Sequence, residues 1–535
     1  MTFENSEIMS TAVVWFRNIL RLHDNPVLTW ASSSEEISSV VPIYILDEKW
    51  NEDNNHSPSP NRKKFLYESI LNLNRNLEEK YQTNILVFSG NPVQIINSIF
   101  GHLGQGHLLS DYCSEPEKIR IMDEVQSILP LSSVKNKVFP AVNTILDIEE
   151  VIKKRNYFNP KSMKDIETIF NNNLDKNPDG YLVGESLACP KQVITDNDVI
   201  DSLVNNKLLS EFHIPIKYLE SDLRKIGSEI KPNISYFLGG EDEALNRLKR
   251  KVSELPNFVN EFRKPKTVST NDETDPREPS TTGLSPYISN GCLSVRKLWN
   301  ECKVANFNST HTKPPESLIG QLMFREMFYL LSRTVKNWDD DQNNSNCKPI
   351  DWGEYDIDKI TAWESGMTGF PYIDAMMRQL ESTGWMHHLG RHAVSCFLTR
   401  GQLWQNWKIG RDIFDRKLVD ADWALNNGNW LWLAGVAPFS MPYYRIYNPC
   451  PDSKSSLNVE TVDADFIRHW IPELVSFPSK YIFEPQLAPL EIQKKSKCII
   501  GEDYPNPIVN RKETRKENLI RFKESNANLK KSSIQ

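Results

Sequence analysis

The strongest constraint on the fold is an alternation of strand-like and helix-like patterns over the N-terminal quarter of the chain. Apolar runs with the length of buried strands occur at four places: 11–16, 40–46, 84–90 and 107–112. Helical periodicity separates them, most clearly at 61–80 and 92–100. Strands that alternate with helices form a parallel sheet covered by helices on both faces. The sequence therefore predicts a doubly wound α/β domain over residues 1–140, without a GxGxxG dinucleotide fingerprint.

The remainder of the chain predicts a connector followed by a helical domain. Residues 141–225 are polar and rich in Asn, Lys and Pro, which indicates an irregular interdomain linker. From 226 to 505 apolar residues recur at helical spacing, as in SLIGQLMFREMFYLLSRTV. Residues 506–535 are highly charged and indicate a C-terminal surface helix with a frayed tail. The expected fold class is an α/β N-terminal domain plus a large all-helical domain.

The composition excludes several classes of protein. A net charge of −7 argues against a protein that coats nucleic acid by bulk charge, but it is compatible with a local basic groove. No apolar run reaches the roughly 18 residues of a transmembrane helix, so no membrane partner is expected. The N-terminus lacks the pattern of a secretory signal. The eight cysteines form no CxxC pair, which is typical of a reducing compartment.

Three of the ten histidines lie close together in an otherwise apolar stretch, GWMHHLGRHAVSCFL at 384–398. His388 and His392 are four residues apart and therefore share one face of the expected helix. Three interpretations remain open: hydrogen-bonded core or cap histidines, a metal-binding pair, or an acid–base pair, because imidazole titrates near neutral pH. The metal interpretation lacks an obvious third ligand. His387 points about 100° away from His388 and is expected to be structural.

The stretch LVDADWALNNGNWLWLAG at 418–435 is the second concentration of polar groups. Asp420 and Asp422 precede Asn426, but Leu425 stands where a calcium-binding EF-hand loop needs glycine. These polar groups therefore serve another ligand or one another. A buried aspartate needs a partner, and Arg391 in the histidine helix is one candidate.

The stretch PSTTGLSPYISNGCLS at 279–294 is rich in small and hydroxyl residues. A turn of this composition suits a phosphate, which it would hold with backbone N–H and hydroxyl donors of Ser280, Thr281, Thr282, Gly283 and Ser285. The alternative is an ordinary helix start, with Ser285 as the N-cap and Pro286 at the first helical position.

Five stretches together resemble the cryptochrome/photolyase family, in the family's order and over nearly the whole chain. They are WFRNILRLHDNPVL, STTGLSPYISNGCLS, SLIGQLMFRE, AWESGMTGFPYIDAMMRQLESTGWMHHLGRHAVSCFLTRGQLW and DADWALNNGNWLW. LRLHDNPVL, IGQLM and HHLGRHAV are most similar to the branch that holds (6-4) photolyases and animal cryptochromes. The resemblance implies an α/β domain, a long linker and an all-helical FAD-binding domain. A second antenna chromophore, a deazaflavin or a folate, is compatible with it, but no residue set assigns one.

The resemblance also implies the residues of the FAD site. They are Lys264, Thr281, Thr282, Gly283, Leu284, Ser285, Gln321, Arg325, Trp385, His388, Arg391, Asp420, Asp422 and Asn426. By this resemblance, the segment 281–285 holds the phosphates, with Lys264 near them. Arg391 is expected to pair with Asp420 beside the isoalloxazine, and Asn426 is expected to face flavin N5.

A tryptophan relay is implied by the same resemblance. Trp430, Trp407 and Trp352 match the positions that carry an electron from the surface to photoexcited FAD. Trp404 matches a fourth position found in the animal-like branch. An aromatic core remains a compatible interpretation, because a relay must be packed to be rigid.

For a (6-4) photolyase, the resemblance implies that His388 and His392 face a flipped-out lesion and that one of them donates a proton. Gln321 is expected to hydrogen-bond the lesion or the flavin region. Arg445 and Lys454 are expected on a basic rim that binds DNA, with Arg400 as a further candidate.

Two departures from the branch pattern bear on the choice of lesion. Phe324 stands where the family usually has a tryptophan that stacks near the substrate. The loop 433–449 is one residue longer than usual, and its PYYRIYNP is more like the cyclobutane-dimer photolyases.

Three functions follow from the resemblance. The favoured one is repair of (6-4) photoproducts in UV-damaged DNA by a monomer of the nucleus or cytoplasm. The first alternative is a cryptochrome without repair activity, which would bind clock-type protein partners. The second is a cyclobutane-dimer photolyase.

Overall fold

A six-stranded sheet organises the N-terminal part of the molecule. The computed structural model describes residues 10–47, 57–130, 133–177, 180–229, 237–263, 279–344, 347–348, 350–440, 442–451 and 463–532. The strands are β1 Ser10–Phe16, β2 Ile37–Leu46, β3 Leu86–Ser89, β4 Gly106–Asp111, β5 Val134–Phe139 and β6 His213–Ile214. Their order across the sheet is β5-β4-β1-β2-β3-β6. The first five strands are parallel, which confirms the predicted fold class, whereas β6 pairs antiparallel with β3.

Helices cover both faces of this sheet. They are α1 Pro26–Ser33, α2 Pro60–Tyr81, α3 Pro92–Leu103 and α4 Pro116–Ile128. Each begins with a proline, whose missing N–H costs nothing in a first helical turn. Asn25, Ser59 and Asn91 cap the first three by accepting backbone N–H groups. The helices predicted at 61–80 and 92–100 are thereby confirmed.

Side-chain alternation along the strands divides the core into two parts. On β1, Val14 and Phe16 join a large core that continues into the helical domain. Val13 and Trp15 point to the other face and pack with apolar residues of α3 and α4. The sheet is therefore buried on both sides, as parallel sheets are.

The polar connector is more regular than its composition predicts. It contains α5 Ile148–Lys153, α6 Met163–Asn173, α7 Asn197–Val204, strand β6 and α8 Ile216–Glu229. The expectation of irregular structure is wrong there, because local caps such as Ser162 start short helices that tertiary contacts then stabilise. Phe170 of α6, for example, stacks on Trp299 with ring centroids 5.2 Å apart. The domain boundaries at 140, 225 and 505 remain predictions.

The rest of the chain is helical. Its helices are α9 Glu241–Leu248, α10 Pro256–Glu261, α11 Ser285–Ser289, α12 Val295–Asn306, α13 Leu318–Thr334, α14 Ile357–Ser365, α15 Pro371–Thr383, α16 His388–Cys396, α17 Trp407–Lys417, α18 Trp423–Ala434, α19 Asp465–Trp470, α20 Leu490–Lys495 and α21 Arg511–Ser532. Helix α18 packs against α13, α16 and α17, and this group of helices surrounds the site described below. Within the described part of the chain, no helix has the length and apolarity needed to cross a membrane.

A buried cluster of charged side chains joins the two domains. Nδ1 of His23 lies 2.5 Å from Oε1 of Glu241, at the start of α9. Asp24 accepts hydrogen bonds from Ser294 and from Arg296, whose Nη2 is 2.5 Å from Oδ1. The α/β domain is thus fixed to the helical domain by directional contacts as well as by shared core.

Candidate functional site

A cavity of about 340 Å³ lies among α11, α13, α16 and α18. Its lining brings together these predicted site residues: Thr281, Thr282, Leu284, Ser285, Gln321, Phe324, Arg325, Trp385, His388, Arg391, His392, Asp420, Asp422, Asn426 and Trp430. Gly283 lies in the loop between two lining residues. Arg445 is exposed and outside this lining, and Lys264 and Lys454 lie outside the described residues.

An ion pair between Arg391 and Asp420 forms one wall of the cavity. Nη1 and Nη2 of Arg391 lie 3.1 and 2.8 Å from the two carboxylate oxygens, so the pair is bidentate. The Ser285 hydroxyl donates to the same carboxylate at 2.7 Å. Ser285 is the first residue of α11 and Leu284 is its N-cap, so the alternative of a Ser285 cap is wrong. The hydroxyl bonds to Asp420 instead of capping the helix.

Asp422 is held by two contacts of different kinds. It is the N-cap of α18, and its Oδ1 accepts the Leu425 N–H at 3.0 Å. The Tyr329 hydroxyl donates to Oδ2. Arg325 lies 4.5 Å from the centre of the Tyr329 ring and donates to its hydroxyl at 3.3 Å. The sequence analysis missed Tyr329, although it lies four residues after Arg325 and therefore on the same face of α13.

Two of the amide side chains that line the cavity, those of Asn426 and Gln321, are oriented by backbone carbonyls. Nδ2 of Asn426 donates to the Arg411 carbonyl at 3.0 Å. Nε2 of Gln321 donates to the Pro315 carbonyl at 3.1 Å. Each bond fixes which way its amide group faces at the cavity wall.

His388 and His392 lie side by side on α16, with ring centroids 5.6 Å apart and ring planes nearly perpendicular. His387 is fully buried and is the N-cap of this helix, where its Nδ1 accepts the Leu389 N–H at 3.2 Å. The Tyr447 hydroxyl lies 3.1 Å from Nδ1 of His392. No cluster of three or more potential metal ligands occurs among the described residues, so the metal interpretation finds no support there.

The Tyr447 contact depends on a loop that Arg400 anchors from inside. Arg400 is 1% exposed and donates to the carbonyls of Leu433, Tyr443 and Arg445 at 2.7 to 2.9 Å. A buried guanidinium with three backbone partners does not contact DNA. The expectation that Arg400 belongs to a DNA-binding rim is therefore wrong.

The predicted relay tryptophans are packed in the helical core near the cavity. Trp430 lines the cavity, and both it and Trp407 are almost completely buried. The rings of Trp352 and Trp404 are 5.2 Å apart. Phe522 of α21 contacts Trp404 edge-to-face, with ring centroids 6.4 Å apart.

The hydroxyl-rich loop at 281–285 turns sharply at Gly283, where the backbone lies close to a neighbouring side chain. Gly283 has a φ of +61°, and an added Cβ would lie 2.8 Å from Nη1 of Arg247. The positive φ favours glycine, and a Cβ here would force the buried Arg247 guanidinium to shift. The loop therefore places backbone N–H groups, the hydroxyls of Thr281 and Thr282, and a buried guanidinium in one region, which suits an anion.

A second cavity, of about 190 Å³, lies between the α/β domain and the helical domain. Arg17, Tyr44 and Lys118 line it from the α/β side. Ser289, Ala421 and Asp422 line both cavities, so the end of α11 and the stretch 421–422 lie between them.

Comparison with protein families identifies the class to which this combination of an α/β sheet, a helical domain and a cavity belongs. Residues 12–165 match the DNA photolyase model, and residues 318–524 match the model of the FAD binding domain of DNA photolyase. A (6-4) DNA photolyase of Arabidopsis thaliana is 35% identical over 94% of this chain and 86% of its own length. Cryptochrome-2 of Gallus gallus is also 35% identical, over 96% of this chain and 83% of its own length. The chain therefore belongs to the photolyase/cryptochrome family, and its helical domain is of the FAD-binding type.

Solved structures agree with this fold. A cryptochrome of Synechocystis superposes with a TM-score of 0.79 at 24% identity, covering 96% of this chain and 99% of that one. A photolyase of Sulfolobus tokodaii, solved with two FAD molecules, superposes with a TM-score of 0.70 at 23% identity, covering 96% and 100%.

Proposed function

We propose that this chain is a blue-light-driven, FAD-dependent enzyme that repairs (6-4) photoproducts in UV-damaged DNA. The observation that supports it most is the placement of His388 and His392 in the same cavity as the Arg391–Asp420 pair and Asn426. Two imidazoles beside a flavin site provide a proton where an electron is transferred. The (6-4) DNA photolyase of Arabidopsis thaliana, a relative over most of the chain, points to the same lesion.

The residues of the larger cavity fit FAD. The Gly283 turn, with Thr281, Thr282 and the nearby Arg247 guanidinium, is suited to the phosphates. Arg391, charge-balanced by Asp420, and the oriented amide of Asn426 are suited to the polar edge of the isoalloxazine. When bound in its reduced form, FAD supplies the electron for repair.

The chain's own groups carry out the remaining tasks. One histidine of the pair, as imidazolium, donates its proton to the lesion and recovers it when the bond between the bases has broken. Gln321 and Phe324 form the side of the pocket that binds the flipped dinucleotide. Arg445 and Lys454 bind the DNA backbone, so the affinity is expected to fall as salt rises.

The test is a repair assay on two oligonucleotides, one with a (6-4) photoproduct and one with a cyclobutane dimer. Reduced protein is illuminated with blue light, and restored thymines are quantified by chromatography. We expect repair of the first, and its loss in His388→Ala and His392→Ala with FAD content unchanged. His469→Ala is the matched control, because His469 is exposed on α19. Full repair by either cavity variant contradicts the acid–base role.

A cryptochrome without repair activity is the second candidate. It is supported by Cryptochrome-2 of Gallus gallus, which has the same 35% identity as the Arabidopsis photolyase. FAD that is bound and photoreducible, together with repair of neither lesion, would favour this candidate. Repair of the cyclobutane dimer alone would instead assign lesion choice to the 433–449 loop.

We further propose that the second cavity binds an antenna chromophore, a deazaflavin or a folate. Support comes from its cationic side chains, Arg17 and Lys118, and from the stretch 421–422 that it shares with the larger cavity. Each chromophore is added in turn to FAD-loaded protein, and the excitation spectrum of photoreduction is recorded. A new excitation band that disappears in Lys118→Glu supports the site.

A further inference from the structure

Asp341 is a fully buried aspartate beside two tryptophans of the proposed relay. The Trp352 indole nitrogen, Nε1, donates to its Oδ2 at 3.4 Å. Its other oxygen, Oδ1, has no hydrogen-bond partner among the described residues. The Trp407 indole nitrogen is also buried without a close hydrogen bond to a described residue, yet its N–H is near enough to lower the pKa of the Asp341 carboxyl.

The surroundings of Asp341 leave its charge poorly compensated. Burial raises the pKa of this carboxyl, while the N–H groups of Trp407 and Trp352 and the charge of Lys408 oppose the rise. Lys408 is itself bound to the neighbouring Asp340, at 2.6 Å. The titratable groups that face Asp341 are Asp340, Lys408 and Cys347. Cys347 stays neutral, because burial raises the pKa of its thiol to about 12.

This arrangement does not stabilise the fold in an obvious way. A buried carboxylate costs several kcal/mol unless its oxygens are well paired. Asp341 has one long hydrogen bond, from Trp352, and only partial further compensation from the Trp407 N–H and the Lys408 charge. A carboxylate whose pKa is raised is a stronger base than usual. Beside the Trp352 indole N–H, such a base is placed to accept a proton.

We propose that Asp341 is the proton acceptor of the tryptophan relay. The inference rests on the tryptophan relay that the sequence predicts, and therefore on the proposed FAD-dependent function. When Trp352 gives one electron inward to the photoexcited flavin, which is the oxidant, the indole becomes a radical cation. Its N–H is then far more acidic, because the ring carries a positive charge. The N–H bond breaks and the proton moves to Oδ2 of Asp341, which leaves a neutral tryptophan radical and a neutral carboxylic acid.

This step affects where and how long the oxidised site persists. The neutral radical regains an electron only if the proton returns, so charge recombination is slowed. Loss of the proton also holds the oxidised site at Trp352, although Trp404 lies only 5.2 Å away between ring centroids.

The first test compares wild type, Asp341→Asn and Asp340→Asn by transient absorption of FAD-loaded protein. The asparagine at 341 has the shape of the native side chain but cannot accept the proton. We expect the radical-cation spectrum to persist roughly 10²-fold longer in Asp341→Asn, the lower end of what a positioned acid–base group contributes. The deuterium isotope effect on its decay is expected to disappear in that variant only. Asp340→Asn is the matched control, because Asp340 binds Lys408 and not an indole.

The second test does not depend on the cofactor. In the flavin-free full-length chain labelled with ¹⁵N-tryptophan, the Trp352 indole resonance is assigned by Trp352→Phe and followed against pH. We expect it to shift as the Asp341 carboxyl titrates, and to stop shifting in Asp341→Asn. This NMR titration therefore tests the Trp352–Asp341 contact even if Asp341→Asn binds no flavin.

The outcomes separate the two proposals. A radical cation that decays equally fast, with the same isotope effect, in wild type and Asp341→Asn overturns the role of Asp341 and leaves the relay intact. A Trp352 resonance that does not respond to pH overturns it independently. If wild type forms no tryptophan radical, both the relay and this inference are overturned.

Discussion

At the scale of single residues, the hydrogen bond between Tyr447 and His392 fixes the orientation of the histidine ring. Burial raises the pKa of the Tyr447 hydroxyl to about 12, so the phenol is neutral at physiological pH. A neutral phenol can donate to Nδ1 of a neutral imidazole or accept from an Nδ1–H group, so the contact holds the ring in place in either protonation state. The sequence motif HHLGRH predicts the pair of histidines but not this partner, which comes from a loop 55 residues away.

The substitution Tyr447→Phe removes only this hydroxyl. We expect (6-4) repair to fall about fivefold in kcat, which corresponds to the loss of one hydrogen bond worth about 1 kcal/mol. FAD content is expected to stay unchanged. Tyr444→Phe is the control, because Tyr444 is exposed. Equal repair rates in Tyr447→Phe and wild type would show that the hydroxyl does not orient His392.

At the scale of elements, the packing of α17 against α18 sets the position of Trp430. An added Cβ at Gly410 of α17 would lie 2.1 Å from Cη2 of Trp430 and 2.7 Å from Cδ2 of Leu398. The absence of a side chain at Gly410 therefore lets the indole lie directly against α17, three residues after Trp407.

Gly410→Ala tests this packing. We expect it to lower the free energy of unfolding by about 1–3 kcal/mol, because an overpacked core must shift. Urea unfolding gives the value. Gly101→Ala is the control, since Gly101 lies in helix α3 with open space around it. There alanine is expected to stabilise the helix by up to ~1 kcal/mol. Equal stability of Gly410→Ala and wild type would contradict the close fit.

Trp430→Phe, on the neighbouring helix α18, tests the predicted relay. We expect photoreduction of oxidised FAD to slow strongly, because phenylalanine is a poor electron donor, while pre-reduced protein still repairs DNA. Time-resolved absorption measures the first quantity and product chromatography the second. Trp363→Phe is the control, because Trp363 is also fully buried but lies outside the predicted relay. Unchanged photoreduction in Trp430→Phe would exclude the relay assignment.

The elements differ in how far the sequence predicts them. Strands β1 to β4 follow from runs of buried residues, and α2 and α3 follow from helical periodicity. Strand β6 has two residues, which is too short to show any period. Asp341 is part of a run of three aspartates, 339–341, whose composition indicates a solvated surface. Only the fold brings the third of them beside Trp352 and buries it.

At the scale of the whole molecule, the contacts between domains depend on pH. Burial lowers the pKa of His23, against the opposing effect of Glu241. Although burial alone would raise it, the pKa of Glu241 is lowered by hydrogen bonds from the His23 ring and from two backbone N–H groups. The His23 contribution to stability is therefore lost as pH falls below 6.5, its ordinary value, and the Glu241 contribution is lost below 4.5.

Glu241→Gln is expected to lower the free energy of unfolding at neutral pH by about 1.5–3 kcal/mol, because it removes the charged acceptor of the His23 ring and of two backbone N–H groups. The loss should shrink as the pH is lowered, since wild type loses the same contact on acidification. Thermal unfolding across the pH range measures both. Glu254→Gln is the control, because the Lys249–Glu254 pair is exposed. If the loss of stability in Glu241→Gln is the same at every pH, the His23–Glu241 contact is not the source of the pH dependence.

The same cluster limits how the chain can be recombined with its relatives. The segment 22–24 contributes His23 and Asp24, while Glu241, Ser294 and Arg296 lie more than two hundred residues later. A chimera that takes its α/β half from one relative and its helical half from another must combine the two sides of this contact from different chains. A breakpoint in the connector separates His23 and Asp24 from their three partners. We therefore expect a hybrid to keep this contact only if all five side chains are present.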